Sequence, residues 1–362
     1  VTQNRVYVTP RAFLHGAPAR DAVDAGWAWP LSGGNLGYAA IDISVREGGA
    51  VNRLGVMTRA TYEKEIRTMA PKLSAAVEVR LNAMALSLPP FAGCDMTLPV
   101  VMGVLNVTPD SFSDGGKHNT LDAAIMHGLR LAEAGADIVD VGGESTRPGA
   151  QPVSEADELA RVIPVILALA GNGVRVSIDT RHANVMKQAL TSGATIVNDV
   201  SALTGDAASE GMVAEAKAPV VLMHMQGDPC TMQDAPSYVW APGDVFDYLE
   251  SRIAACVAAG IPASSIAVDP GIGFGKNDVH NAEILEHVAM FHGLGCALVL
   301  GVSRKGFIGR MSRGEAADQR LAGSLAAAVH AVGQGVQILR VHDVAETHQA
   351  LAVAHRIREG VS

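Results

Sequence analysis

At 362 residues the chain is longer than an ordinary single domain and suits one α/β barrel of roughly 250 residues with an appendage. Hydrophobic residues make up 48% and charged residues 18%, which supplies a sizeable core and excludes overall disorder. A net charge of -9 with no long basic run argues against nucleic acid or an anionic membrane as partner, yet allows an anionic small substrate held by a few placed cations.

In chain order, residues 1–95 stand apart as an N-terminal extension of small mixed α/β character. Positions 38–46 read as a strand and 62–88 as helical with a break at Pro71, while Trp27, Trp29 and the stretch 30–37 mark a turn-rich unit. Residues 88–93, with two prolines and a glycine, read as the connection to the remainder of the chain.

From 96 to 362 one theme recurs: a short β-rich apolar run, a polar or glycine-rich break, then a helical stretch. Strands are expected at 100–106, 137–141, 174–179, 195–199, 220–224, 266–269, 297–301 and 336–340. Helices are expected at 121–133, 155–170, 185–192, 245–259, 282–291, 319–332 and 345–358, with a short one at 209–216. Eight βα units with apolar strands fit a closed TIM (β/α)8 barrel, whose strands are covered on both faces. An open doubly wound sheet is the alternative, but it would gather polar residues at one switch point, whereas here nearly every strand ends in Asn, Asp, His, Ser or Arg.

Four cysteines, Cys94, Cys230, Cys256 and Cys296, lack metal-site spacing and read as thiols in a reducing compartment. No run approaches the ~20 apolar residues of a membrane span and no basic segment precedes an apolar one at the N-terminus, so a cytoplasmic protein is expected.

The strand ends carry the candidate chemistry. Asn106, at the root of the loop 106–116, offers a carbonyl oxygen to Mg²⁺, whose remaining positions waters and substrate phosphates fill; it could instead cap a turn. The loop 142–150 brings Ser145, Thr146, Arg147 and Pro148 together as an anion cradle or a solvated turn. Asp179, Asn198 and Asp269 end three strands, and carboxylates so placed accept paired hydrogen bonds from a heterocycle with a guanidine-like edge, while Asn198 meets a mixed edge. Each could also cap the following helix. After the seventh and eighth strands come Ser303, Arg304, Lys305 and then Arg340, His342, cations at the commonest phosphate site of this architecture; Lys305 could otherwise form a Schiff base or lie on the surface. His224, between two methionines, reads as a core histidine before a catalytic one. The segment 271–276 lacks the spacing of a dinucleotide fingerprint, and its Phe274 reads as a pocket wall or loop packing.

Taken together, segments 106–116, 143–149, 177–180, 198–199, 223–227, 269–276, 303–309 and 340–342 resemble the motifs of dihydropteroate synthases in their order and spacing. The resemblance implies condensation of 6-hydroxymethyl-7,8-dihydropterin diphosphate with p-aminobenzoate, using Mg²⁺, on a homodimer. It implies that Asp179, Asn198, Asp269 and Lys305 hold the pterin, and that Asn106, Arg340 and His342 serve the diphosphate. Phe112, Thr146, Pro148, Phe274 and Ser303 would surround p-aminobenzoate, and Arg147 is a further expected substrate-binding residue; Asp179, Lys305, Arg340 and His342 are the expected catalytic residues. Two rivals remain: a methyltetrahydrofolate:corrinoid methyltransferase-like enzyme, which needs no diphosphate site, and a non-catalytic pterin-binding paralogue. Residues 1–95 have no counterpart in the family's minimal barrel, and Cys230 stands where a basic residue is common.

Overall fold

The computed structural model describes residues 5–33, 35–108, 117–145, 153–228 and 231–359, with 117–120 and 359 as backbone only. The extension comprises β1 (Arg5–His15), α1 (Gly16–Asp24), β2 (Trp29–Leu31), β3 (Leu36–Glu47), β4 (Ala50–Thr58), α2 (Arg59–Glu65) and α3 (Pro71–Ala85). The long β3 is the centre of an antiparallel sheet, pairing β1 along one edge and β2 and β4 along the other. Strand alternation splits its faces. Val6, Val8, Ile41, Ile43 and Val45 pack with Val77, Leu81 and Met84 of α3, while Arg5, Tyr7, Arg11 and Arg46 reach barrel helices.

In this region the structure bears out the expected elements and adds others. The expected strand 38–46 is the middle of β3, and the expected helix 62–88 is two helices. Thr58 caps the first of them through the Thr61 N–H, 3.3 Å away. The expected break at Pro71 is present, because Pro71 opens the second helix, its missing N–H costing nothing in the first turn. β1, β2, β4 and α1 have no counterpart among the expected elements; β1 carries arginines and a proline, and its arginines find partners far along the chain.

The barrel strands are β5 (Val100–Asn106), β6 (Ile138–Gly142), β7 (Val176–Asp179), β8 (Ile196–Asp199), β9 (Val220–Met223), β10 (Ile266–Asp269), β11 (Ala297–Leu300) and β12 (Ile338–Val341). They close as a parallel barrel with β12 pairing β5, so the expected TIM barrel is present. Outside lie α4 (Lys117–Glu133), α5 (Glu155–Gly171), α6 (Ala183–Thr191), α7 (Ser209–Ala216), α8 (Ala241–Ala258), α9 (Asp278–Glu286), α10 (Gly306–Met311), α11 (Leu321–Gly333) and α12 (Val344–Glu359). The expected helix 282–291 is replaced by α9 and a separate 3-10 turn, Val288–Leu294, against which β1 and α3 of the extension pack.

Period-two alternation places the site. Val101, Val139, Ile178, Val197, Leu222, Val268, Leu298 and Leu339 face the helices. The other parity, Val100, Met102, Ile138, Ile196, Val221, Ala267, Ala297, Val299 and Ile338, fills the barrel and is sealed at its N-terminal mouth by Phe91, Cys94 and Met96 of the connecting segment. Continuing that inward parity along the strands toward their C-terminal ends gives Asn106, Asp140, Asp179, Asn198, Asp269 and Arg340. The apolar filling therefore gives way to a polar layer at the C-terminal mouth, where barrel enzymes carry their sites. Cys94, Cys256 and Cys296 are buried free thiols, and Cys230 lies outside the described residues. No helix among the described residues is long and apolar enough to cross a membrane.

Candidate functional site

Arg340 organises the mouth. Its Nε donates to Asp140 at 2.6 Å and its Nη2 to Asp179 at 2.7 Å. Asn198 donates to the same Asp140 oxygen at 3.0 Å, and strand register sets Asp179 beside Asn198. Asp269 accepts the Gly271 N–H at 2.7 Å and faces Lys305, whose charge opposes the effect of burial on that carboxyl. The Lys305 ammonium donates to the Ile272 carbonyl and sits 4.7 Å from the centre of the Phe274 ring. Three carboxylates thus face two cations in one small volume.

Lys305 is presented by a strained turn. Arg304 has φ 57°, a left-handed conformation, and its guanidinium turns away to Asp343. Ser303 is thereby left to accept the His342 N–H at 3.2 Å and to meet its ring Nδ1 at 3.1 Å. These two contacts bind the loop after β11 to the loop after β12. Nearby, Gly271 has φ 68°, and a Cβ there would stand 2.0 Å from the His224 carbonyl oxygen, so only glycine permits that turn.

Burial and charge set the protonation states. Loss of water pushes the Asp179 carboxyl up to about 7; Arg340 opposes this, but Asp140 and other nearby carboxylates add to it. Burial lowers the Lys305 ammonium to about 8, with Asp269 opposing and Arg340 adding to the effect. Deeper still, Lys276 is 1% exposed and donates to the Phe274 carbonyl at 3.0 Å, with its Nζ 2.9 Å from the His224 ring. Burial, and then that ammonium, drives the imidazole down to about 2. His224 is therefore a core residue that anchors the loop after β10.

Set on this geometry, comparison with known proteins is decisive. A family model described as "Pterin binding enzyme" matches residues 102–342. The chain is 49% identical over 260 residues to the dihydropteroate synthase of Escherichia coli strain K12, covering 72% of this chain and 92% of that one. With the Neisseria meningitidis serogroup B enzyme the identity is 46%, over 70% and 91% of the two chains. The chain belongs to the dihydropteroate synthase family.

Solved structures agree. A Xanthomonas albilineans dihydropteroate synthase with 4-aminobenzoic acid superposes with TM-score 0.71 at 46% identity, over 75% of this chain and 97% of that one. Another structure of that enzyme, in complex with 7,8-dihydropteroate, gives 0.67 at 42%, over 74% and 96%. A Yersinia pestis dihydropteroate synthase with a sulfonamide gives 0.70 at 46%, over 74% and 96%.

Of the residues singled out from sequence, Asn106, Asp179, Asn198, Asp269, Phe274, Ser303, Lys305, Arg340 and His342 are described, and all lie on strand ends or loops at the C-terminal mouth. Phe112, Thr146, Arg147 and Pro148 fall outside the described residues. Sequence reasoning missed two residues of this network: Asp140, fully buried with Arg340 and Asn198 on one oxygen, and Lys276. Both left a signal, a carboxylate within an apolar strand and a lysine closing a glycine-rich turn.

The Asn106 side chain, half-buried at the end of β5, takes no hydrogen bond from the described residues. Among those residues no cluster of three or more His, Cys, Asp or Glu is arranged to hold a metal ion. One neutral oxygen donor suits Mg²⁺ that arrives on a diphosphate and keeps its waters, rather than a metal caged by protein. The donor set therefore fits the expected ion.

Proposed function

We propose that this chain condenses 6-hydroxymethyl-7,8-dihydropterin diphosphate with p-aminobenzoate, giving 7,8-dihydropteroate and inorganic diphosphate. The observation that carries the reading is the convergence of Asp179, Asn198 and Asp269 with Lys305 and Arg340 at one barrel mouth. Carboxylates match the guanidine-like edge of a pterin, and the cations beside them match its diphosphate.

In this reading the C–O bond to diphosphate breaks first and the dihydropterin ring delocalises the positive charge left on its methylene. The aniline nitrogen then attacks, forming the C–N bond and losing a proton. Asp179 stabilises the cation, while Arg340 and His342, held by Asp140 and Ser303, receive the leaving group. Mg²⁺, held by Asn106 and the diphosphate, would neutralise charge on that group. Asp269, Asn198 and Lys305 orient the pterin; Phe274 and Ser303 form the p-aminobenzoate side. No protein nucleophile is required, so Lys305 acts as a hydrogen-bonding cation rather than a Schiff base.

The outer surface of the barrel adds a proposal about assembly. α11 is almost wholly Leu, Ala, Gly and Val, yet only Ser324, Ala328 and Ala331 are buried within the chain. A helix apolar all round is ordinarily covered, which supports a homodimer with α11 at its interface in a cytoplasmic enzyme; sedimentation of the full chain at micromolar concentration should give twice the chain mass.

The deciding measurement mixes purified protein, pterin diphosphate and Mg²⁺ with and without p-aminobenzoate, and follows both products. Equal amounts of diphosphate and pteroate support the synthase. Pterin binding without turnover would assign the chain to the non-catalytic paralogues, and methyl transfer from methyltetrahydrofolate to the corrinoid enzymes.

A further inference from the structure

We propose that the N-terminal extension is a positioning element of the active site: Arg46, assisted by Tyr7, holds the end of the loop after β9 and through it the Phe274 wall on the p-aminobenzoate side. This rests on the function proposed above and assigns a role to the part of the chain outside the matched family region.

Direct contacts lead inward from the extension to the site. α8 presents Asp244, Asp247 and Glu250 toward the extension, and Arg5, Arg46 and Arg80 answer them. Most of this seam serves adhesion alone, but Asp244 does more. One of its oxygens pairs with Arg46, while the other accepts the N–H groups of Val239 at 2.8 Å and Trp240 at 3.2 Å. Those two residues end the loop after β9. The Trp240 ring meets the Tyr7 ring edge to face with centroids 5.3 Å apart, and the Tyr7 hydroxyl donates to Asp247 at 2.8 Å. A side chain at Gly243 would come within 2.6 Å of the Trp240 ring, so the indole is closely seated between α8 and the extension.

From this anchorage the loop reaches the site. Its neck is closed by a reciprocal pair, Gln226 with the backbone of Ser237, both bonds 2.9 Å. Tyr238 then donates to the Gly275 carbonyl at 2.7 Å, and Gln233 to the Gly273 carbonyl at 2.6 Å. The backbone on either side of Phe274 is thus tied to a loop whose far end depends on Asp244. A catalytic wall tolerates little displacement, since a shift of about 1 Å far from the chemistry can cost 10²-fold in rate. An ion pair that fixes Asp244 in its bridging rotamer therefore acts on the site although Arg46 touches no substrate.

The seam contains its own control. Arg5 binds Asp247, through the oxygen that Arg46 and Tyr7 leave free, and Glu250 on the same helix, and no hydrogen bond or ion pair joins it to Asp244. The full-length parent, Arg46→Ala, Arg46→Lys and Arg5→Ala would be compared in steady-state pteroate formation, varying each substrate in turn. The parent by itself tests the proposed function, because absence of pteroate there overturns that reading and not the bracing. With an active parent, Arg46→Ala should raise KM for p-aminobenzoate about tenfold and KM for the pterin diphosphate less than about twofold. Arg46→Lys, which restores a charge to Asp244, should recover most of the loss, and Arg5→Ala should match the parent. Equal effects of Arg46→Ala and Arg5→Ala, or parallel movement of both KM values, would show the seam to be adhesive only. Should Arg46→Ala not fold, Arg46→Gln, which keeps one donor, carries the same comparison with a smaller shift in the same direction; a parental KM there would overturn the proposal.

Discussion

One guanidinium serving two carboxylates explains much of the site at the scale of single residues. Arg340 reaches both Asp140 and Asp179, yet burial and the crowding of like charges still hold Asp179 up to about 7. A carboxyl whose folded pKa lies above its unfolded value gives stability that is full below the unfolded value, 3.8, and is lost as pH rises through the folded one, about 7. Asp179→Asn should therefore unfold at a higher temperature than the parent at pH 8, with the gap shrinking toward pH 5, while losing at least about 10²-fold in kcat/KM. Thermal scans across that range, beside kinetics, would check both parts; a pH-independent gap would refute the linkage.

The same charges predict a rate profile. In the proposed function Asp179 accepts the pterin edge when ionised, and Lys305, lowered to about 8, donates when protonated. kcat/KM for the pterin diphosphate should be bell-shaped, rising near 7 and falling near 8. Lys305→Arg should abolish the alkaline limb, because a guanidinium does not deprotonate in that range, although its different shape will lower the plateau.

At the scale of elements, the turns after the strands do the aiming. The loop after β10 folds back so tightly that Gly271 lies against the His224 carbonyl, with Lys276 cross-linking the two segments from beneath. Gly271→Ala should cost about 2 kcal/mol or more in stability, from the left-handed backbone and the clash together, and should raise KM by displacing Phe274. Denaturant unfolding and p-aminobenzoate titration of the kinetics would register the two effects separately. Glu144 plays a comparable part after β6, pairing Arg181 through both carboxylate oxygens and accepting the Val153 N–H.

For the whole molecule, the barrel has two ends with different tasks. Phe91, 2% exposed, closes the N-terminal mouth against the apolar barrel filling, opposite the polar layer. Phe91→Ala should cost about 3–5 kcal/mol in unfolding free energy through the cavity it leaves, while both KM values stay within about twofold of the parent, as substitutions at this end of such barrels affect stability. A selective KM change would mean that the two mouths communicate.

The sequence by itself determined the barrel, because each unit carries its own signal: the β10 strand and the α7 helix have the expected bounds, and strand ends in Asp, Asn and Arg mark one mouth. It also singled out Asp179, Asn198, Asp269 and Arg340, since polar groups at the ends of apolar strands need a purpose, and Lys305 in the loop after β11. Only the tertiary structure decided how they are paired. Asp140 is buried in the middle of an apolar strand and becomes a site residue because Arg340, 200 residues away, donates to it. The extension was obscure for the same reason. The polar residues of β1 and β3 spoil the apolar pattern of a buried strand, and their purpose appears only when α8, some 200 residues later, brings the opposite charges to meet them. Local periodicity records which face of an element is apolar, but it holds no information about a partner that distant chain must deliver.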